Sequence, residues 1–296
     1  MPNALHALAN FFRIWEVDLQ DYVRIINPDG TFLVPLDVAS ITSNVFDASR
    51  SMIMMSATLY PQKMYADILG ISNPLIKSYV SPFPKDNRLT LVVGDVSTVY
   101  KRRSGLMYEK IAKNISNLEK EVPGNIALFF PSYNLMDNIV PHIITEREII
   151  VEDTAWNKND KSELLKKTMQ FDNLLLCFVQ GASFMEGIDF KNNSLKAIMI
   201  IGLPISPPSI LNQKLLDFYD MRFSKGYEYV YILPAFNKVL QSAGRGIRKS
   251  EDVCAVLLLD SRFNYSNYKG YLSHWDIKTS YVPNLFLKQF YEFHGL

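Results

Sequence analysis

Cysteine is nearly absent from this 296-residue chain: there are two, Cys177 and Cys254, each inside an apolar run. That excludes a disulfide scaffold and, for this chain alone, a four-cysteine zinc or iron–sulfur site. It fits buried thiols in a reducing compartment. No charge sign is in excess, with 31 Lys and Arg against 30 Asp and Glu and a net charge of +1. A strongly basic nucleic-acid module is disfavoured, although a local patch can sit inside a neutral total. Long apolar runs are missing too, since the longest, such as Leu195 to Leu203, reach about half the ~20 residues of a membrane span. No charged-then-apolar leader opens the chain, so a soluble, cytoplasmic protein with no membrane partner is expected. There is no Gly-x-Ser-x-Gly elbow and no His-Glu-x-x-His pair. His6, His142, His274 and His294 lack metal-ligand spacing, so no metal site is expected. Internal repeats and low-complexity tracts are also absent.

What is present is apolar patterning. Hydrophobic residues make up 48% of the chain, enough to bury a real core, and the length suits one large or two modest domains. Ile111, Ile115, Leu118 and Val122 recur on one helical face. Pro123-Gly124 breaks that helix, and Asn125 to Phe130 reads as a buried strand. Ser132 is placed to cap a helix carrying Leu135 and Ile139. Glu148 to Val151 reads as a strand and Ser162 to Phe171 as a helix. Leu174 to Val179 and Leu195 to Leu203 are continuous apolar runs, as parallel strands covered on both faces are. Helices are expected over Ser209 to Phe223 and Ala235 to Arg248, then a strand over Val253 to Leu259. This alternation implies an α/β parallel sheet with right-handed crossovers.

The opening differs. A helix over Ala4 to Trp15 precedes a hairpin, Tyr22 to Ile26 and Thr31 to Leu36, turning at Asn27-Pro28-Asp29-Gly30. A strand over Ser51 to Met55 ends at Ser56-Ala57-Thr58. Pro82 to Leu89 has linker composition and marks the expected boundary.

Four segments carry polar chemistry. In Gln241-Ser-Ala-Gly244-Arg245-Gly246-Ile-Arg248, a continued helix puts Gln241, Arg245 and Arg248 at i, i+4 and i+7, on one side. Two arginines and an amide beside glycines suit a polyphosphate, because guanidinium forks match phosphate oxygens. The alternative for the same residues is a basic helix end with a glycine stop. Gly181-Ala-Ser183-Phe-Met-Glu186-Gly187-Ile188-Asp189-Phe190 follows a strand, where α/β proteins place ligands; the alternative is an ordinary turn. Phe129-Phe130-Pro131-Ser132-Tyr133 runs from a strand end into a helix amino terminus, suited to an anion or to simple capping. Ser56-Ala57-Thr58-Leu59 ends the fourth segment. Lys101-Arg102-Arg103 reads as a solvated loop.

In that order, Ser56-Ala57-Thr58, Phe129 to Tyr133, Glu186 to Phe190 and Gln241-x-x-Gly244-Arg245-x-x-Arg248 resemble the carboxyl half of the XPD-type helicases. These are superfamily 2 DNA helicases of the iron–sulfur group; related bacterial damage-inducible helicases share the motifs. The tract from Phe46 to Gly70 is similar to the family's third motif and its surroundings. The resemblance implies RecA-like motor domains, each a parallel sheet with helices on both faces, with ATP and Mg²⁺ between two of them and single-stranded DNA across both. It implies that Gln241, Gly244, Arg245 and Arg248 meet the γ-phosphate, an arginine acting as the finger, with Gly187 and Asp189 also on the nucleotide. Phe130, Ser132, Tyr133 and Ser183 are implied as DNA contacts, and Ser56, Thr58 and Glu186 as coupling residues. It further implies 5′ to 3′ translocation, nucleotide excision repair, a repair or transcription complex as partner, and a nuclear location in a eukaryote.

The departures are specific. None of the 13 glycines is followed by lysine, so there is no Walker A loop. No Asp directly precedes Glu, so the Asp-Glu-Ala-His box is lacking as well. The family's four cluster cysteines are missing. The expectation is therefore a fragment, with residues 1–81 as the carboxyl-terminal remnant of a first motor domain and residues 82–296 as the second. Such a chain would not turn over ATP alone, and the missing motor domain would be its partner. The competing reading is a non-catalytic DNA- or partner-binding module, marked by salt-sensitive DNA affinity that ignores Arg245→Ala. A free-standing small-molecule enzyme would need a nucleophile–base pair, and none can be assembled.

Overall fold

Seven short segments pair side by side in one sheet: β1 (Arg88–Val92), β2 (Asn125–Phe130), β3 (Glu148–Val151), β4 (Leu174–Val179), β5 (Leu195–Ile200), β6 (Cys254–Leu258) and β7 (Ile277–Thr279). The computed structural model describes every residue except 1–3, 17–20, 57, 183–187, 189, 191, 273, 274 and 281. The strand order is β3-β4-β2-β5-β6-β1-β7 and every pairing is parallel. Strands β2, β4 and β6 are buried along their whole length, which is why their sequences are unbroken apolar runs rather than alternations.

Successive side chains point to opposite faces. Leu91, Leu128, Cys177, Met199 and Leu257 share one cluster with three helices. These are α1 (Gly105–Leu118), α2 (Tyr133–Ile139) and α5 (Pro283–Phe293), which contribute Ile111, Ile115, Leu135, Ile139 and Leu287. Phe129 and Phe178 alternate to the other face, their rings 5.6 Å apart. There α4 (Leu233–Ala243) packs on β5. Each fully buried aliphatic side chain contributes about 1.5–3 kcal/mol. Helix α3 (Lys158–Gln170) begins in a capping box of Asn157 and Asp160. Its far end is tied down by Asn125, whose Nδ2 donates to the Thr168 and Phe171 carbonyls at 3.0 and 2.7 Å. The Asn125 Oδ1 accepts from Leu174 N at 2.9 Å.

Two compact units divide the chain: 1–78 with 207–232, and 79–206 with 233–296. The sheet belongs to the second. The first holds the helix Ala4–Glu16, the hairpin Tyr22–Asn27 and Gly30–Pro35, and the helices Ala39–Asp47, Gln62–Leu69 and Ile210–Phe223. Asn27 Oδ1 closes the hairpin turn by accepting from Asp29 and Gly30 amides.

Several expectations need correction. The boundary anticipated at 81/82 lies beside the observed division at 78/79, but residues 207–232 group with the amino-terminal unit. Polar contacts hold them there: Arg222 pairs with Asp37 at 2.7 Å, and the Tyr229 hydroxyl donates to Asp67 at 2.6 Å. Arg88 and Leu89, read as linker, open β1. Ser51 to Met55 forms no strand, and Ile53 and Met55 are 86% and 87% exposed. A strand needs a ladder partner, and among the described residues none pairs with it. The helix expected over Ala235 to Arg248 spans Leu233–Ala243 and stops there.

Arg147 braces the base of the sheet unit. Its Nε meets Glu119 Oε2 at 2.5 Å, and its Nη atoms donate to the Glu119, Val122 and Gly124 carbonyls beyond α1. Both side chains are buried. Arg147→Met leaves Glu119 buried without its partner and should cost about 3–5 kcal/mol, read as a lowered urea midpoint.

Candidate functional site

Loops at the carboxyl edge of a parallel sheet are the usual place for ligands, and two of the four polar segments leave strands there. β2 ends at Phe130, which is fully buried in the main apolar cluster. The expectation that it contacts nucleic acid is corrected: its place in the strand alternation turns the ring into the core. Ser132 caps α2, its Oγ accepting from Leu135 N at 3.3 Å. Tyr133 is half-buried and its hydroxyl donates to Glu152 Oε1 at 3.2 Å. The other Glu152 oxygen accepts from Val179 N at 2.8 Å. Burial pushes the Glu152 carboxyl above its ordinary range, against the pull of the Val179 amide and the Tyr133 hydroxyl. Burial, the Glu152 charge and their hydrogen bond push the Tyr133 hydroxyl up to about 12.

After β4, Gln180 is buried and its Nε2 donates to the Phe129 and Gly202 carbonyls at 3.3 and 3.2 Å. The expected site residues Ser183, Glu186, Gly187 and Asp189 lie outside the described residues. Ile188 and Phe190 are described and buried, Phe190 with its ring 6.3 Å from Phe178. Ile188 and Phe190 are therefore anchors into the core.

The arginine segment departs from its expected geometry. α4 ends at Ala243, so Gln241 sits on its last turn while Arg245 and Arg248 lie beyond it. The three do not share a helical face. Gly246 shows why: a Cβ there would run into the Cys254 sulfur, so the chain turns sharply back toward β6. The Asp252 carboxylate accepts from the Arg248 and Lys249 amides, both at 2.8 Å, and closes the turn. Gln241, Gly244 and Arg248 are exposed and Arg245 is half-buried. Arg245 Nη1 donates to the Ile188 carbonyl, so the arginine segment and the Gly181–Phe190 segment meet directly. Ser56 and Thr58 belong to the other unit, where the Ser56 hydroxyl accepts from Thr58 N at 3.2 Å.

Sequence reasoning missed a third polar cluster on this edge. Asp260, wholly buried, accepts from Thr98 N at 2.8 Å, Thr98 Oγ1 at 2.9 Å and Arg262 Nη2 at 2.8 Å. Burial raises its carboxyl, but the Arg262 hydrogen bonds and charge and the Thr98 amide outweigh this and hold it below the usual range. Gly202 backs onto the cluster with φ 80°, and a Cβ there would overlap Thr98. Glu152, Gln180 and Asp260 each directly follow an apolar strand run, a signal present in the sequence and unused.

The implied cofactors fit unequally. Exposed Gln241 and Arg248 beside Gly244 suit a polyphosphate. Among the described residues no three His, Cys, Asp or Glu side chains cluster to hold a metal ion, so no step through Mg²⁺ is assigned to them. Cys177 and Cys254 lie on separate strands, and burial pushes both thiols up to about 12; they do not fit an iron–sulfur cluster. Among the described residues no helix is long and apolar enough to cross a membrane.

Comparison with known proteins agrees with this geometry. A family model described as helicase C-terminal domain matches residues 115–278. The ATP-dependent DNA helicase XPD of Sulfolobus acidocaldarius is 25% identical over 75% of this chain and 41% of its own length. A regulator of telomere elongation helicase 1 homolog of Aedes aegypti is 30% identical over 77% of this chain and 25% of its own. The chain thus spans less than half the length of these curated relatives. A solved XPD helicase superposes with a TM-score of 0.71 at 22% identity, covering 93% of this chain and 50% of that one. The expected α/β RecA-like architecture is the observed one.

Asp260 generates a prediction. It binds a proton less readily folded than unfolded, so its contribution is whole above about pH 4, the ordinary aspartate value, and disappears as pH falls below it. Asp260→Asn leaves Arg262 buried beside a neutral group and should cost about 3–5 kcal/mol at neutral pH. Urea unfolding across the acid range should show the wild-type stability falling toward that of the variant.

Proposed function

Because the chain belongs to the helicase C-terminal domain family, we propose that it is the second motor part of an ATP-dependent 5′ to 3′ DNA helicase of the XPD type. It works with a first motor domain that supplies the Walker A and Asp-Glu-Ala-His groups and most of the grip on ATP and Mg²⁺. Residues 1–81 are the end of that first domain. The observation that carries the reading is the hydrogen bond from Arg245 to the Ile188 carbonyl. It ties the arginine turn to the loop that the resemblance assigns to the nucleotide through Gly187 and Asp189 and to coupling through Glu186.

In this scheme Arg248, exposed beyond the glycine stop, reaches the γ-phosphate as the finger and stabilises charge developing during transfer. Gln241 and Gly244 border the same phosphate. Arg245 acts on the phosphate and the loop together, so nucleotide state is passed to the strand contacts at Ser132, Tyr133 and Ser183. Ser56 and Thr58 couple from the other unit. Nucleotide excision repair is the task that the motif resemblance implies, and similarity to a regulator of telomere elongation helicase 1 homolog leaves a telomeric task as the alternative.

The test is ATP hydrolysis with single-stranded DNA, by this chain alone and with a family amino-terminal half added. Silence alone and turnover on mixing is expected; robust turnover by the chain alone overturns the proposal. In the mixed enzyme, Arg245→Ala and Arg248→Ala should each lower kcat by about 10³ or more. Near-normal kcat in both removes the finger assignment.

A further inference from the structure

A cavity of about 260 Å³ opens beside the carboxyl end of β3, lined by Tyr133, Glu152, Trp156, Asn157, Lys158 and Lys161 among others. Only Tyr133 of these belongs to a segment that the helicase resemblance singles out. The volume lies just under the roughly 300–1,000 Å³ of small-molecule sites, so it can take about one nucleotide and not a folded run. Its walls are of three kinds. Trp156, half-buried, offers an aromatic face. Lys158 and Lys161 stand one helical turn apart at the start of α3 and offer cations. Tyr133 is held in place by its hydrogen bond to buried Glu152.

The end of α3 is not itself the anion holder. Its capping box already uses the leading amides, with Asn159 N donating to Asn157 Oδ1 at 2.7 Å and Asn157 N to Asp160 Oδ2 at 2.6 Å. A phosphate here would answer to the lysine side chains. Acidic Asp153 sits at the rim with an oxygen committed to Ala155 N at 2.8 Å, which sets the cation-rich side apart as the phosphate side. Aromatic face, paired cations and a fixed tyrosine together match base, phosphate and sugar of a single unit.

We infer that this cavity seats one nucleotide of the single strand, with Trp156 stacked on its base and Lys158 and Lys161 on its flanking phosphates. The site rests on the strand-binding reading above and extends it to residues on α3 and the turn before it. Stacking on an aromatic side chain tolerates any base, which suits a motor that must step along every sequence. Trp156 is then a grip that resets at each unit advanced.

The test is fluorescence anisotropy of a labelled dT oligonucleotide of about ten nucleotides, within the usual span of such grooves. Trp156→Ala should weaken binding about tenfold, and Trp156→Phe should keep most of the affinity. Lys158→Ala and Lys161→Ala should each flatten the dependence of log affinity on log salt by roughly 0.7. Affinity and salt dependence unchanged across these variants, with wild-type binding intact, overturns the site and leaves the motor reading standing. No wild-type binding to any oligonucleotide overturns both. Competition by dTMP as strong as by the oligomer overturns the strand assignment in favour of a free nucleotide.

Discussion

A parallel sheet covered on both faces leaves its strand ends without a ladder and with little water, so the polar groups there must find partners or cost about 1–3 kcal/mol each. In this chain three residues meet that demand. Glu152 follows β3 and takes the amide at the end of β4. Gln180 follows β4 and donates to carbonyls beyond or within β2 and β5. Asp260 follows β6 and takes the Thr98 amide in the segment after β1. Together they sew the carboxyl edge across most of its width, and the candidate site is built on that seam. Tyr133 is positioned by Glu152, and Gly202 is required because Thr98 occupies the space a side chain would need.

The arginine turn obeys a second steric demand. β6 brings Cys254 so close beneath residue 246 that only glycine fits, and the helix ends at Ala243, before that contact. The stop therefore precedes the arginines and frees them from helical spacing. Arg245 folds back onto Ile188 while Arg248 stays at the surface, its backbone held by Asp252. Residues three apart in sequence thus meet different surroundings. A helix would have given them one face.

Much of the sheet was legible because burial on two faces writes itself as unbroken apolar runs: Asn125 to Phe130 and Leu174 to Val179 form strands over those residues. β1 and β7 were not: β7 is three residues long with none buried, and β1, though mostly buried, opens at Arg88 inside a stretch of linker composition. The helix stop at Ala243 was written in Gly244 and Gly246, but the periodicity of Gln241, Arg245 and Arg248 argued the other way. Only the contact with Cys254, eight residues on, decides between them. Ser51 to Met55 has strand composition without a strand, because pairing depends on a neighbour that composition does not contain. Within the candidate site, residue types raised the expectation of phosphate chemistry, whereas Phe130's burial and the Glu152 link needed three dimensions.

Net charge sets the scale of any grip on DNA. A protein neutralising six to ten phosphates loses about 10³–10⁵ in affinity over a modest rise in salt, and it carries the basic excess to do so. This chain is at +1 overall, so on the proposed reading its contact with a strand rests on short-range, local groups. Two lysines beside one aromatic ring supply little electrostatic energy and add stacking of about 1–3 kcal/mol for one base. A motor has use for that proportion. A grip strong enough to hold the strand through a whole cycle would have to be released against its full cost at each step. On the proposed reading, a weak, sequence-blind grip can be switched by the few kcal/mol that a moved loop delivers, with the Arg245–Ile188 bond as the point where nucleotide state would reach that loop.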